Sequence, residues 1–372
     1  MKKYMISFIA VVCIFAGTAN AVVPENSAVS AILMEADSGR VIYEDNANEQ
    51  RAMASITKIM TTLLTIEAGN LDEYFTVDSE AIKTEGTSMG LKQNDSVTRR
   101  ILCYGMMLPS GNDGANAAAV SVGGDINTFL NMMNERAKQI GMNNTNFVTP
   151  SGLDANGHYT TAYDMALLTR EALSNHIFAK MSATQNITVE YGNPVYARTL
   201  TNSNKMLKMY DGAIGVKTGF TDNARRTLVS AATRNGVTLI CVTLSDSNDW
   251  VDHTNLLDYG FSICKSASVK PDLSSVNIPV VGGVEECVSV LAPFEMNLTA
   301  INGQLPEYET VIVADKFSYA PVSEGDVLGE VQYISDGQII ASSPLVADNS
   351  VSVKEAEHTI TDKIKEYIKK LF

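Results

Sequence analysis

A serine and a lysine three residues apart stand at the start of a predicted helix, in Ser55-Ile56-Thr57-Lys58. This spacing puts both side chains on one helix face, within reach of each other. A serine hydroxyl needs an adjacent base, and a lysine is such a base only when burial or a nearby cation lowers its pKa. The pair therefore predicts nucleophilic catalysis, with backbone N–H groups at the helix start available to an oxyanion. The alternative is a capped surface helix, because about one or two such matches arise by chance.

A second segment, Ser110-Gly111-Asn112, lies on a predicted loop before an alanine-rich helix that begins near Asp113. Such a loop can present a hydroxyl and an amide to a cleft. The hydroxyl could relay a proton between Lys58 and a leaving amine, and the amide could hold the backbone of a substrate. The alternative is a turn and helix cap, for which these residue types are common.

A third segment, Lys217-Thr218-Gly219, lies on a predicted strand that leads into a hairpin over residues 225–244. A lysine facing a cleft supplies positive charge, the threonine supplies a hydroxyl, and the glycine lets another strand approach the backbone closely. The alternative is an exposed edge strand that its lysine protects from pairing.

A chance match to all three segments is far less probable than a chance match to any one of them. Their order, S-x-x-K, S-x-N and K-T-G on a helix, a loop and a strand, is that of penicillin-binding proteins and serine β-lactamases. The chain resembles the low-molecular-weight penicillin-binding proteins, which are the serine D-Ala-D-Ala carboxypeptidases of peptidase family S11. Four wider segments carry the same resemblance, at residues 54–61, 108–113, 150–154 and 215–221. The layout of predicted domains agrees as well, so the resemblance covers essentially the whole chain.

The resemblance implies a role for each matched residue. Ser55 would attack the carbonyl of the penultimate D-Ala of a peptidoglycan stem peptide, Lys58 would take its proton, and Ser110 would help return a proton to the departing D-Ala. Backbone N–H groups of Ser55 and Phe220 would form the oxyanion hole. The residues implied to bind substrate are Asn112, for the peptide amide, and Lys217, Thr218 and Gly219, around the terminal carboxylate. β-Lactam antibiotics would acylate the same serine.

Two positions depart from the family pattern. Ala224 is followed by Arg225-Arg226 where the family usually has a glycine and an aromatic residue, and Ser151 stands where it often has histidine or asparagine. Neither position carries a matched catalytic group, so we expect both to affect specificity rather than the reaction.

These residues require a scaffold, and residues 22–268 predict one in which strands at both ends enclose a series of helices. Asp37-Ser38-Gly39 and Asn235-Gly236 mark hairpins. Helices are predicted from Ser55 to Gly69-Asn70, from the cap Asp125 to Ile140, and from the capping box Thr161-x-x-Asp164 to about Leu173. The resemblance implies the α/β (α+β) transpeptidase-like fold of penicillin-binding proteins and β-lactamases for this domain.

Residues 269–351 alternate between apolar and polar residues in short runs, which predicts a small antiparallel β sandwich. Residues 352–372 predict an amphipathic helix whose end is locally basic. Its apolar positions are Ile360, Ile364, Tyr367, Ile368, Leu371 and Phe372, and its basic positions include Lys363, Lys365, Lys369 and Lys370. We interpret it as a helix lying on an anionic membrane surface; the alternative is a helix packed on the sandwich.

Residues 1–21 predict a secretory signal, because a basic start and a short apolar run precede Ala19-Asn20-Ala21. We therefore expect export to the outer face of the cytoplasmic membrane and the cell wall. Cleavage would remove two lysines and change the formal charge from −14 to −16, which excludes nucleic acid as a partner. Four cysteines would remain, at positions 103, 241, 264 and 287, and without a C-x-x-C pair they predict mostly buried thiols.

The alternatives to a carboxypeptidase are a serine β-lactamase and a non-catalytic peptidoglycan-binding homologue. A class A β-lactamase would need a glutamate in an E-x-x-L-N segment between the second and third motifs, and Glu135, Glu171 and Glu190 do not lie in one. A non-catalytic peptidoglycan-binding homologue would not need a nucleophile and its base. The four histidines are scattered without metal-ligand spacing, so we expect no metal and no other cofactor.

Overall fold

The computed structural model of the chain describes residues 7–9, 22–355 and 367–370. Within them, residues 22–266 and 299–304 form one compact unit. Residues 7–9, 267–298, 305–355 and 367–370 form the other.

Eight helices of the described residues lie in the larger unit and are numbered in chain order. They are α1 Lys58–Glu67, α2 Arg99–Met107, α3 Asn112–Gly123, α4 Ile126–Ile140, α5 Ala162–Ser174, α6 His176–Ser182, α7 Met206–Met209 and α8 Asp249–Ile263. A 3₁₀ turn, Ala54–Thr57, comes directly before α1. A further helical turn spans residues 367–370 of the smaller unit.

The strands are numbered in the same way. They are β1 Ser7–Ile9, β2 Ala28–Glu35, β3 Val41–Asp45, β4 Tyr74–Thr76, β5 Ser96–Thr98, β6 Asn186–Gly192, β7 Val195–Thr201, β8 Ala213–Thr221, β9 Arg225–Arg234, β10 Val237–Asp246, β11 Cys264–Val269, β12 Asn277–Val281, β13 Cys287–Leu291, β14 Met296–Ile301, β15 Glu309–Ala314, β16 Ser318–Tyr319, β17 Val327–Ser335 and β18 Gln338–Ala347.

A five-stranded antiparallel sheet, in the order β3-β2-β10-β9-β8, is the scaffold of the larger unit. Both of its faces are covered, because alternate residues of one strand belong to different hydrophobic clusters. On β10, Ile240 and Val242 pack with the residues of α1 to α6, whereas Leu239 and Cys241 pack with α8. The prediction of strands at both ends of the domain with helices between them is confirmed, and β8 is one of the two edge strands of this sheet.

The local signals predicted for this unit are also present. Asp125 caps α4 by accepting a hydrogen bond of 2.9 Å from the N–H of Thr128, and Gly141 ends the helix in a left-handed conformation. Thr161 caps α5 by accepting one of 3.0 Å from the N–H of Asp164. A small four-stranded sheet, β4-β5-β6-β7, and the two-stranded sheet β11-β14 complete the strands outside the smaller unit's main sheet.

The smaller unit is the predicted β domain. Its strands form a seven-stranded sheet in the order β1-β15-β17-β18-β13-β12-β16, around a core that includes Val288, Val331, Tyr333 and Leu345. The pairing is antiparallel except between β12 and β16, which run parallel, so the prediction of a purely antiparallel domain was wrong at this edge.

Most of the predicted signal segment and terminal helix lies outside the described residues. Within the first, β1 pairs with residues 309–311. Within the second, residues 352–355 are not helical and Val353 pairs with Gly283, so the predicted start of the helix at residue 352 was wrong. Tyr367 and Ile368 are exposed. No helix in the described part of the chain is both long and apolar enough to cross a membrane. The cysteines at positions 103, 241, 264 and 287 are free thiols, of which all but the last are buried, as predicted.

Candidate active site

Ser55 lies on a 3₁₀ turn rather than on an α-helix. The prediction that the helix begins near Ser55 was wrong by one turn, since α1 begins at Lys58. The turn is held from within: Ala54 has a positive φ of 50°, and the Thr57 hydroxyl donates a hydrogen bond of 2.8 Å to the Ala54 carbonyl. Ser55 itself is half-buried, which leaves its hydroxyl accessible.

The amino group of Lys58 lies at the centre of the site. Its Nζ is 2.8 Å from Ser55 Oγ, 2.7 Å from Asn112 Oδ1 and 2.6 Å from the Ser151 carbonyl oxygen. The predicted contact between the serine and the lysine is therefore present. The side chain of Lys58 is fully buried, even though it ends in an ionisable group.

Burial is also the main reason why the pKa of Lys58 is lowered well below 10.5. The charge of Lys217 lowers it further, whereas that of Asp113 opposes the shift. The sequence analysis named burial or a nearby cation as the possible cause of a lowered pKa, and the structure contains both, with burial the larger. A lysine in this environment holds an unprotonated amine much more readily than one in water.

Lys217, Thr218 and Gly219 lie on β8, paired with β9. Burial lowers the pKa of Lys217 to about 7, and its Nζ donates a hydrogen bond of 2.9 Å to the Thr218 carbonyl. The Thr218 hydroxyl lies 3.0 Å from the hydroxyl of Ser203, an exposed residue that sequence reasoning missed. Ser203 follows β7 with no motif of its own, so only the fold could reveal it.

Gly219 brings the edge strand against the nucleophile turn. A Cβ atom on Gly219 would lie 2.9 Å from the backbone nitrogen of Ser55 and 2.4 Å from Thr227 Oγ1, closer than real side chains approach. The next residue, Phe220, has an exposed side chain. The backbone amides implied for the oxyanion hole, those of Ser55 and Phe220, thus belong to two segments in close contact.

Ser110 and Asn112 differ in how they join the site. Asn112 is the first residue of α3 rather than a loop residue, which corrects the prediction, and both ends of its amide are engaged within the protein. Its oxygen accepts from Lys58, and its Nδ2 donates to the Glu85 carbonyl at 2.7 Å. Ser110 has a positive φ of 66°, and its carbonyl accepts a hydrogen bond of 2.6 Å from Thr87. The proton relay through its hydroxyl stays a prediction.

Asp113 is a second residue that the sequence did not single out. Its carboxylate accepts hydrogen bonds from Ser88 Oγ at 2.6 Å and from the N–H groups of Met89, Gly90 and Leu91 at 2.9, 3.0 and 2.9 Å. It therefore fastens residues 88–91 beside the site. An aspartate directly after S-x-N could have been recognised as a helix-start residue, but its loop partners could not.

Residues 150–154 resembled the family without an assigned role, and they hold the base. The Pro150 carbonyl accepts a hydrogen bond of 2.6 Å from Thr61, and the Ser151 carbonyl accepts the one from Lys58. Gly152 has a φ of 90°, and a Cβ atom on it would lie 2.0 Å from the Ala54 carbonyl oxygen. Since Ser151 acts through its backbone, the departure from histidine or asparagine at this position leaves the contact to Lys58 intact.

The two arginines that depart from the family pattern lie at the start of β9. Arg225 is exposed and adopts a φ of 59°, a conformation that favours glycine. Arg226 forms a two-pronged ion pair with Asp249, at 2.7 and 3.1 Å. Their influence on specificity stays a prediction.

With this geometry established, comparison with known proteins identifies both units. A family described as D-alanyl-D-alanine carboxypeptidase matches residues 17–248, and one described as penicillin-binding protein 5, C-terminal domain, matches residues 267–353. D-alanyl-D-alanine carboxypeptidase DacF of Bacillus subtilis is 31% identical over 332 residues, which are 87% of this chain and 85% of the relative. DacC of Escherichia coli, named for the same activity, is 32% identical over 91% of this chain and 87% of its own.

Solved structures agree. The D-alanyl-D-alanine carboxypeptidase DacD from Francisella tularensis gives a TM-score of 0.63 at 29% identity and covers 91% of this chain and 98% of its own. The Streptomyces K15 DD-transpeptidase gives 0.62 at 32% identity, over 64% of this chain and 99% of its own. The match favours the carboxypeptidase over the β-lactamase interpretation. The chain belongs to the D-alanyl-D-alanine carboxypeptidase family, the serine peptidases of family S11.

Proposed function

We propose that the protein removes the terminal D-alanine from peptidoglycan stem peptides through an acyl-enzyme on Ser55. The observation that carries the proposal is the fully buried amine of Lys58, 2.8 Å from the Ser55 hydroxyl. A nucleophile within hydrogen-bond reach of a base with a lowered pKa is the arrangement that covalent catalysis requires.

The partners of Lys58 also determine the direction in which it accepts a proton. A neutral amine has two N–H bonds and one lone pair. The Asn112 side-chain oxygen and the Ser151 carbonyl can only accept, so they take the two N–H bonds. The lone pair is left for the third partner, Ser55, whose hydroxyl then donates to Lys58. Asn112 and Ser151 in this way keep the base aimed at the nucleophile.

The reaction follows from this arrangement. As Ser55 Oγ bonds to the carbonyl carbon of the penultimate D-Ala, its proton passes to Lys58, and the carbonyl oxygen gains negative charge near the N–H groups of Ser55 and Phe220. The carbon–nitrogen bond then breaks, and the proton goes to the departing amine, with Ser110 as the relay. Water hydrolyses the ester and releases the shortened peptide. β-Lactams would form the same ester and remain bound.

Acylation by benzylpenicillin, together with D-alanine release, tests the proposal. Intact-mass analysis of the treated protein is expected to give one adduct of the drug's mass, and peptide mapping is expected to place it on Ser55. The untreated protein should release D-alanine from a peptide ending in D-Ala-D-Ala. A protein that neither gains mass nor releases D-alanine would be the non-catalytic binder instead.

Lys217→Ala is expected to lower kcat/KM much more for a peptide ending in free D-Ala-D-Ala than for its amidated counterpart, because Lys217 supplies the cation that meets the terminal carboxylate. Parallel steady-state assays on the two peptides give the comparison, with Lys208→Ala, at an exposed lysine of the same unit, as the control. Equal losses of kcat/KM on both peptides would mean that Lys217 has only a general effect on the electrostatic field of the site.

The pH dependence of kcat/KM provides a second test of the role of Lys217. Its pKa of about 7 means that the free enzyme loses this cation as the pH rises through neutrality. We therefore expect kcat/KM for the acid-ended peptide to fall on the alkaline side, while the amidated peptide is spared. kcat/KM is the right quantity because its pH dependence reports the pKa values of groups in the free enzyme.

We also propose export of the protein and attachment of its C-terminal segment, residues 352–372, to the outer face of the cytoplasmic membrane. The supporting features are those of the sequence: a leader of the secretory type, and apolar residues with lysines in the last turns. The mature chain, with a formal charge of −16, would be repelled by an anionic surface. Attraction must therefore come from the C-terminal segment. Each lysine near such a surface contributes about 1 kcal/mol.

Deletion of residues 357–372 is expected to release the enzyme from anionic vesicles while hydrolysis of a soluble peptide continues unchanged. Vesicle sedimentation at low and high salt, with and without the segment, measures the effect, and the binding that depends on lysine should weaken as salt rises. A helix packed on the β domain predicts the opposite: no binding by the full chain at low salt, and a lower melting temperature after deletion.

A further inference from the structure

His158 is buried beside the nucleophile turn but touches neither Ser55 nor Lys58 through a hydrogen bond. Its Nε2 lies 3.0 Å from the Thr57 hydroxyl oxygen, and its Nδ1 accepts the backbone N–H of Val148 at 3.0 Å. Burial lowers the pKa of His158 to about 4, although Asp154 opposes the shift, so the ring is neutral near neutral pH. The reaction described above assigns no role to either His158 or Thr57.

The hydrogen bonds of the ring determine where its proton lies. Since Nδ1 accepts from Val148, the proton of the neutral ring is on Nε2, which must donate to Thr57 Oγ1. The hydroxyl of Thr57 therefore accepts from His158 and donates its own proton to the Ala54 carbonyl oxygen, 2.8 Å away. The relay has a single direction: His158 donates to Thr57, and Thr57 donates to Ala54.

The Ala54 carbonyl shares its peptide group with the N–H of Ser55. In a trans peptide these two bonds lie in one plane and point in opposite directions. Thr57 and Gly152 occupy the carbonyl side, where even a Cβ atom on Gly152 would clash. The N–H side faces Gly219 of β8, at the junction where the oxyanion hole was inferred.

We propose that His158 and Thr57 are positioning residues that orient the Ser55 N–H toward the oxyanion. The positive φ of Ala54 is disfavoured for a residue with a side chain, so the turn depends on contacts such as these to keep its conformation. The inference rests on the proposed acyl-enzyme at Ser55. It adds two supporting residues behind the oxyanion hole: Thr57, at a position that the S-x-x-K motif leaves open, and His158, outside the three motifs.

Thr57→Val tests this with little change in volume at a fully buried position. Loss of one oxyanion donor costs about 10²- to 10³-fold in kcat, so a misdirected donor is expected to cost about tenfold to a hundredfold, with KM nearly unchanged. Thr57→Ser keeps the hydroxyl and should restore most of the turnover. A peptide boronic acid, whose adduct on serine places an oxygen in the hole, should lose affinity by a similar factor.

His158→Leu, whose side chain can neither donate nor accept a hydrogen bond, repeats the test with Thr57 in place, and it carries the test if the valine variant fails to fold. The matched control is His253→Leu, at a fully buried histidine that contacts Ser230 and Thr243 instead of the turn. The control is expected to cost melting temperature but not kcat. Equal loss of kcat in both histidine variants would reduce His158 to a structural role.

Two further outcomes would overturn the proposal. Unchanged kcat and boronate affinity in folded Thr57→Val would show that the peptide keeps its orientation without the relay. A displaced acid limb in the pH profile of kcat/KM would show that the pair acts through Lys58. If the unaltered enzyme neither reacts with penicillin nor turns over peptide, the failure belongs to the proposed function; if it does both, unchanged values in the variants count against the positioning role alone.

Discussion

Replacement of Ser55 by alanine is expected to abolish both the penicillin adduct and the release of D-alanine. The hydroxyl is the atom that forms the ester, and the other two hydrogen-bond partners of Lys58 among the described residues, an amide oxygen and a backbone carbonyl, are not nucleophiles of this kind. The methyl group of alanine leaves the buried contacts of Lys58 with Asn112 and Ser151 intact, so the fold should be retained. Intact-mass analysis after benzylpenicillin, with D-alanine release measured on the same sample, gives the result.

The control for this variant is Ser266→Ala, at an exposed serine of β11, which should be acylated as fast as the unaltered enzyme. Equal melting temperatures of the two variants would establish that folding is not the cause of the loss. If Ser55→Ala still gains the mass of the drug, the nucleophile lies elsewhere and the proposed acyl-enzyme is wrong.

Replacement of Lys58 is expected to slow acylation by about 10²- to 10⁴-fold, the usual contribution of a general base. Two variants separate chemistry from packing. Lys58→Ala removes the amine and leaves a cavity, whereas Lys58→Met removes the amine and fills most of the space. Both should lose acylation rate to a similar extent, but the alanine variant should be less stable, because truncating a buried chain adds the cost of the cavity.

The pH dependence of the acylation rate tests the same role of Lys58. Only the unprotonated amine can accept the proton of Ser55, so activity in the unaltered enzyme should rise as the pH rises through the lowered pKa of Lys58. Both variants should lack that limb. Stopped-flow acylation with a chromogenic β-lactam across pH measures it, with Lys83→Ala at an exposed lysine as the control. Acylation at nearly the unaltered rate would exclude Lys58 as the base.

The sequence determined by itself the features that depend on neighbouring residues. Asp125, Thr161 and Asn235-Gly236 act within a few positions of themselves, so caps and hairpins could be predicted from residue types alone. The identity of the nucleophile and base could be inferred for the same reason, since Ser55 and Lys58 are three residues apart. The edge pairing of β12 with β16 could not, because strand pairing at a sheet edge depends on the rest of the sheet.

Only the tertiary structure decided how the segments combine. Lys58 gains acceptors from Asn112 and Ser151, which are 54 and 93 residues away, and these contacts aim its lone pair. Gly152 and Gly219, from two distant parts of the chain, lie so close to Ala54 and Ser55 that neither has room for a Cβ atom.

The same holds for charge and for His158. The pKa of Lys58 falls chiefly because the fold removes water from around it, and no pattern of residue types states how deeply a side chain is buried. His158 looked like a scattered structural histidine because it is 101 residues from Thr57 along the chain. Residue types and spacing could name the reacting groups, whereas burial and long-range contacts set their protonation and their direction.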